Sequence, residues 1–402
     1  MISQRLSTHA MYRWVVLAAA GLTLGVAMGF LVNGFSAFVV PLEMYFGWPR
    51  AHISAINSIG LVGIAVGGIA MGFAADRIAT RTICLIGAIS LSFALLLASM
   101  SDELWQFYAL FFIAGAIGGG GLFAPVIALV GGWFQKGAGL AIGIASAGQA
   151  VGQGLVPFAT GYLIELTGWQ DALATLGICA ACILIPLSLV MIEPPKLATG
   201  TAAPQHAPQL ISPKIILPAM SVAVLGCCTG MAVPLMHLVP LIQGVCGVGA
   251  AAGGPLLLML VFAVGGRIFF GGLADKIGPL RSWMAATTWQ TVLVSGFILL
   301  GTMQAFWLFA PLYGFGYGGV MTGVLVSVRA LTPPERRASA TGIVLAFGWL
   351  GHALGGWQGG FFFDLTGAYD WTYINAALAG TINLFIVGTI FIVLRKRQLA
   401  TA

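Results

Sequence analysis

Apolar residues run along this chain in long continuous blocks, broken by short groups of charge, proline and small polar residues. A transmembrane strand would show short alternating segments instead. A bilayer core of about 30 Å needs about 20 apolar residues in an α-helix, so each block predicts a membrane-spanning helix. The first six blocks are 12–42, 52–74, 82–100, 105–133, 138–164 and 171–192; the second six are 214–242, 251–273, 282–301, 305–331, 338–363 and 371–394. The first block is too long for a signal-peptide core and is followed by no small-residue cleavage site, so it predicts a retained helix. Between the two sets lies a Pro-, Ala- and Thr-rich stretch without periodicity, 194–213, which reads as a flexible linker between bundles 1–193 and 214–402.

Composition agrees with that reading. Of the 402 residues 59% are hydrophobic and only 7% charged, whereas soluble chains carry about 25% charge. The 57 glycines suit close approach of membrane helices. All but two of the 17 Lys and Arg fall at the termini, in the loops after even-numbered blocks, or at block ends on that same side; the exceptions are Arg50 and Arg267. By the positive-inside rule both termini and the linker are cytoplasmic. This bias also accounts for the net charge of +6, so no nucleic-acid partner is implied. The six cysteines show no metal-ligand spacing and read as small apolar fillers. No cofactor or metal is expected, and no intramembrane nucleophile–base pair suggests an enzyme.

The chain repeats itself. "GFAADRIATR" (Gly72 to Arg81) matches "GGLADKIGPLR" (Gly271 to Arg281) at an offset of 199. The same offset relates Pro41 to Pro240, Gly119 to Gly318, Gly143 to Gly342, and "GYLIELTG" (Gly161 to Gly168) to "GFFFDLTG" (Gly360 to Gly367). Several landmarks at one offset and in one order are a tandem duplication. Parallel six-helix repeats are an arrangement of secondary transporters with a midplane site. The expected fold is therefore an all-α membrane protein of twelve transmembrane helices in two pseudo-symmetric six-helix bundles.

On these residues the whole chain resembles the major facilitator superfamily. Its loop pattern G-x-x-x-D-[RK] is matched after the second block by Gly72, Asp76 and Arg77, with Arg81 following, and after the eighth by Gly271, Asp275 and Lys276. The glycine usual three positions after the Asp is Gly278 in the second copy and Ala79 in the first. The resemblance implies that these loops are conformational latches. "FSAFVVPLEMYFGWPRAHIS" (Phe35 to Ser54) and "RIFFGGLADKIG" look like bacterial monocarboxylate-transporter-like and oxalate/formate-antiporter-like members of the bacterial inner membrane. In those relatives an arginine at the position of Arg267 binds substrate carboxylate. Oxalate carriers add a lysine in the eleventh helix, where this chain has Gly348, and that departure favours a single carboxylate.

Arg267 can also be read without the family. It lies eight residues before Asp275, about 12 Å along a helix, which puts it near the midplane. An arginine there is costly and marks a functional site. All eleven acids map to loops or block ends, so a substrate carboxylate is the expected bidentate match for the guanidinium. The competing reading is that Arg267 caps backbone carbonyls or faces headgroups. Arg329 ends the tenth block beside Glu335-Arg336-Arg337 and reads as interfacial.

Other polar residues fall within the blocks. His237 and His352 titrate near neutral pH and are candidates for a coupling proton, or equally hydrogen-bonded packing residues. Tyr317, in "GFGYGG", looks like a substrate-contacting tyrosine of related carriers, with packing as the alternative. Asn33, Gln149, Gln153 and Trp349 are candidates to face the substrate. The "GGGGLFAP" run (Gly118 to Pro125) lacks the Lys-Ser/Thr ending of a phosphate loop.

The expected function is secondary active transport of small monocarboxylates such as lactate or pyruvate, by alternating access, with proton symport, acting as a monomer in the bilayer. The alternatives are organic-anion exchange of the oxalate/formate type and drug export. Drug exporters usually carry buried acids, which this sequence lacks.

Overall fold

The structure, a computed structural model, describes residues 2–48, 50–134, 136–194, 212–247 and 252–401. The interior of the expected linker, 195–211, lies outside them. Among the described residues the regular structure is helical throughout. Eleven helices among the described residues are long and apolar enough to cross a membrane. The ninth expected span forms too, as an α-helix over Pro279–Val294 and a 3-10 turn over Ser295–Leu299. Its Ser282, Thr287 and Gln290 are buried, which lowers its hydropathy without exposing polar groups.

Two spans depart from smooth helices. The first runs as an α-helix over Ile2–Met28, a π-turn over Gly29–Asn33, a 3-10 turn over Gly34–Phe38 and a last α-helix over Val39–Phe46. The fourth begins at Leu104–Ile113, widens into a π-turn at Ala114–Gly119 and restarts at Ala124–Trp133. Pro125 sits in the first turn of that last piece, where its missing N–H costs nothing. The Gly118–Pro125 run is therefore buried helix with a break at Phe123.

The chain forms two compact units. One comprises Met1–Gln135, Ile144–Pro194 and Glu335–Ala346; the other Lys136–Gly143, Pro195–Pro334 and Phe347–Ala402.

In each unit the helices meet through glycine. A methyl group added at Gly115 would overlap the Gly60 carbonyl, and one at Gly67 the Ala116 carbonyl. In the other unit Gly314 lies against the Met259 carbonyl and Gly266 against the Phe315 carbonyl. Each of these residues is 199 positions from its counterpart, so the repeat holds in the packing of the second on the fourth span and of the eighth on the tenth. The turns before the sixth and twelfth spans repeat as well, with Gly168 at φ 84° and Gly367 at φ 70°.

Aromatic clusters close the units. Phe46 and Trp48 stack with ring centroids 4.1 Å apart and pack on Phe107 and Trp169. The aromatic pair of the F-G-W motif is thus a clasp on the fourth and sixth spans. In the other unit Phe297 is surrounded by Phe309, Tyr313 and Tyr373. The end of the sixth span is held by Tyr12 donating to the Val190 carbonyl (2.8 Å) and Trp133 to the Ile192 carbonyl (2.8 Å). Glu193 accepts the Thr80 N–H at the start of the third span.

The two loop copies differ in backbone. Ala79 takes φ −54°, open to any residue, whereas Gly278 takes φ 95° and ψ 152°, a region in which a side chain is strained by about 1–3 kcal/mol. The alanine at 79 is therefore tolerated and the glycine at 278 is required. Gly278→Ala is expected to destabilise the protein by about 1–3 kcal/mol, and Ala79→Gly by less than about 1 kcal/mol. Thermal unfolding of both variants in detergent checks the ordering.

Candidate functional site

The eighth span, Gly253–Ile277, carries Arg267 with 2% of its surface exposed. Its backbone is fixed by a close crossing: a methyl group at Gly143 would lie 2.5 Å from the Arg267 carbonyl oxygen. Tyr317 in the tenth span, 3% exposed, is close enough to interact electrostatically with Arg267. Glycines flank that tyrosine at 314, 316, 318 and 319. Gly314, Gly318 and Gly319 let the tenth span approach the eighth closely, and Gly316 lets it approach Trp289 of the ninth.

His352 belongs to the same cluster and also interacts electrostatically with Arg267. Its Nδ1 lies 3.1 Å from the Gly348 carbonyl. A carbonyl only accepts, so Nδ1 is the donor and Nε2 is left as the basic nitrogen. The Trp349 ring is 5.8 Å from the imidazole. Cys228 completes the group. Its thiol interacts with His352 and lies within electrostatic range of Tyr317, while Cys227 Sγ sits 4.0 Å from Cys228 Sγ and donates to the Val224 carbonyl. A side chain at Gly348 would start 3.4 Å from Cys228 Sγ, so the lysine of dicarboxylate relatives would enter this same cluster.

Residues from the seventh, eighth, tenth and eleventh spans thus converge, and the structure brings Arg267, Tyr317, His352 and Trp349 together. His237 is held elsewhere: its Nε2 is 2.9 Å from the Gly356 carbonyl and its ring 5.4 Å from Tyr369. In the other unit Asn33 donates to the Gln153 carbonyl (3.1 Å), and Gln149 and Gln153 are buried. Arg329 lies within electrostatic range of Asp275. Cys228 is the member that sequence reading missed. No local signal separates it from the other five cysteines; only helix packing places it. Among the described residues no group of three or more His, Cys, Asp and Glu is arranged to hold a metal ion.

The loop residues make a second, symmetric feature. Asp275 accepts the Gly139 and Leu140 N–H groups, both at 2.9 Å. Asp76 accepts those of Ala338 and Ser339 at 3.2 and 3.3 Å. Each carboxylate therefore caps the first turn of a span, where N–H groups lack intrahelical partners and the helix dipole favours negative charge. Donors and acceptors alike are related by the offset of 199. Gly72 and Gly271 lie against the Ala338 and Gly139 carbonyls, allowing the approach. Arg77, Arg81 and Lys276 are exposed.

A sequence profile of the Major Facilitator Superfamily matches residues 22–328. The chain belongs to the Major Facilitator Superfamily and is an integral membrane transporter. It is similar to the uncharacterized MFS-type transporter YcxA of Bacillus subtilis, with 26% identity over 90% of this chain and 91% of that protein. It is also similar to monocarboxylate transporter 13 of Rattus norvegicus, with 25% identity over 92% of this chain and 87% of that one. Among solved structures, the proton:xylose symporter XylE superposes with a TM-score of 0.77 at 14% identity, covering 95% of this chain and 96% of its own. The human organic anion transporter MFSD10 gives 0.73 at 13% identity, covering 94% and 99%. At these identities the two structures establish the shared fold.

Asp76→Asn and Asp275→Asn each exchange a charged cap for a neutral one. Each is expected to lower stability by about 0.3–1 kcal/mol, and the double variant by about the sum, because the two caps share no partners. Melting temperatures of the three variants test this. A double variant no less stable than either single would contradict it.

Proposed function

We propose that this transporter carries small monocarboxylate anions and that Arg267 receives the carboxylate. The observation that carries the reading is a guanidinium with 2% of its surface exposed, about 12 Å inside the span from Asp275, grouped with a tyrosine and a histidine that supply further polar contacts. Guanidinium matches carboxylate bidentately, and buried charge within a membrane span is retained for function. The similarity to monocarboxylate transporters of rat, mouse and zebrafish, at 25–26% identity, supports the same substrate class. Gly348, where a lysine would enter the same cluster, supports one carboxylate rather than two.

His352 carries the coupling proton in this reading, because it shares the Arg267 cluster and keeps Nε2 as its basic nitrogen. His237 is the second choice. Asn33, Gln149 and Gln153 are further candidates for polar contacts to the substrate. Asp76 and Asp275 hold and release helix starts as gates during alternating access. The Lys and Arg bias supports cytoplasmic termini in a bacterial inner membrane. The protein acts as a monomer, since each of these roles is assigned within one chain.

Uptake of labelled lactate, pyruvate, acetate, formate, oxalate and succinate into proteoliposomes tests the assignment. Monocarboxylates are expected to accumulate under an inward proton gradient. Arg267→Gln should reduce that uptake at least about a hundredfold, as expected when one member of a buried ion pair is lost, with an unchanged melting temperature. Full transport in that variant would refute the role. His352→Gln should abolish gradient-driven accumulation yet keep carboxylate exchange, whereas His237→Gln should keep both.

A further inference from the structure

Away from the Arg267 cluster, a groove of about 290 Å³ runs between the seventh and twelfth spans. Ile216, Ala219, Phe385, Ile390 and Val393 are among the residues that line it, and Arg397 stands at its end. The Thr389 hydroxyl in the wall is engaged, with Oγ1 donating back to the Phe385 carbonyl at 2.8 Å. Ala219 makes the depth, since its small side chain stands among larger neighbours. From Phe385 to Arg397 is about 18 Å along a helix, slightly more than one leaflet's half of a hydrocarbon core about 30 Å thick.

Charge and hydropathy divide along this length. The twelfth span exposes Leu378, Ile382 and Phe385 on its outer surface, a face for acyl chains. At the far end Lys214, Arg395, Lys396 and Arg397 are exposed, and Arg281 stacks on Phe391 at 5.2 Å. Neither 371–402 nor 212–247 contains an acidic residue. Clusters of Lys and Arg at the end of a span attract anionic lipid, at about 1 kcal/mol per residue.

We infer that the groove is a binding site for an anionic glycerophospholipid, its acyl chain lying along Ala219 and Phe385 and its phosphate meeting Arg397. The apolar length selects a lipid over a soluble phosphate, and the single cation lining the groove selects an anionic over a zwitterionic headgroup. This site is independent of the transported substrate.

The test uses the full-length protein, delipidated in detergent. Bound lipid is counted by native mass spectrometry, and the melting temperature is followed with phosphatidylglycerol, phosphatidylcholine of the same chains, or inorganic phosphate. Phosphatidylglycerol is expected to bind and stabilise most, and phosphate to do neither. Arg397→Gln should weaken phosphatidylglycerol about five-fold, the equivalent of one cation, and phosphatidylcholine less, narrowing the preference between them. Ala219→Phe, which fills the groove but keeps every charge, should weaken both lipids. Equal binding of the two lipids by the parent protein would overturn the inference. So would stabilisation by phosphate alone, an unaltered preference in Arg397→Gln, unaltered binding in Ala219→Phe, or lipid-independent dimerisation through this face.

Discussion

Helices in hydrocarbon gain little by covering leucine with leucine, because the lipid tails are equally apolar. They gain by approaching closely enough for their backbones to touch, and here that approach is made at glycine. Gly115 on the Gly60 carbonyl and Gly314 on the Met259 carbonyl are the same contact made twice. Several other placements follow from such crossings. Tyr317 reaches Arg267 because Gly266 and Gly318 let the eighth and tenth spans touch. The carboxylate caps form because Gly72 and Gly271 bring loop and helix start together. A side chain at these positions would move a helix axis outward and disperse the cluster behind it.

Against this repeated frame, the residues proposed to bind substrate stand where the repeats differ. Arg267 and Gly68 are equivalent positions. The carbonyl of each is approached by an equivalent glycine, Gly143 for Arg267 and Gly342 for Gly68. The backbone geometry is shared, and only one copy holds a charge. His352 likewise stands opposite Gln153, and Tyr317 opposite Gly118. Duplication supplied two similar scaffolds, and in this chain the titratable chemistry collects on the second.

The spans, the repeat and both loops were legible in the sequence because each rests on a strong local signal: a long apolar block, a fixed offset, a carboxylate after a spaced glycine. The π-turns at Gly29–Asn33 and Ala114–Gly119 were not, since they answer to neighbouring helices rather than to their own composition. The ninth span was anticipated within a few residues, but its 3-10 ending was not. The cluster was legible only in part. Arg267 announces itself by charge in an apolar block, whereas Cys228 enters through the facing of the seventh and eleventh spans. His237 and His352 looked alike in sequence; the Gly356 carbonyl and the Arg267 cluster separate them.

The carboxylate caps have a consequence for how such chains diverge. Asp275 meets Gly139 and Leu140, while Asp76 meets Ala338 and Ser339. The receiving side chains differ completely, yet both caps form, because what is received is backbone N–H. Side chains at Leu140 and Ser339 can therefore change while the cap holds, but one at Gly139 would overlap the Gly271 carbonyl and crowd the Asp275 carboxylate. The receiving half of the joint is thus constrained where the spans cross closely, at Gly139, and open to change one residue further on.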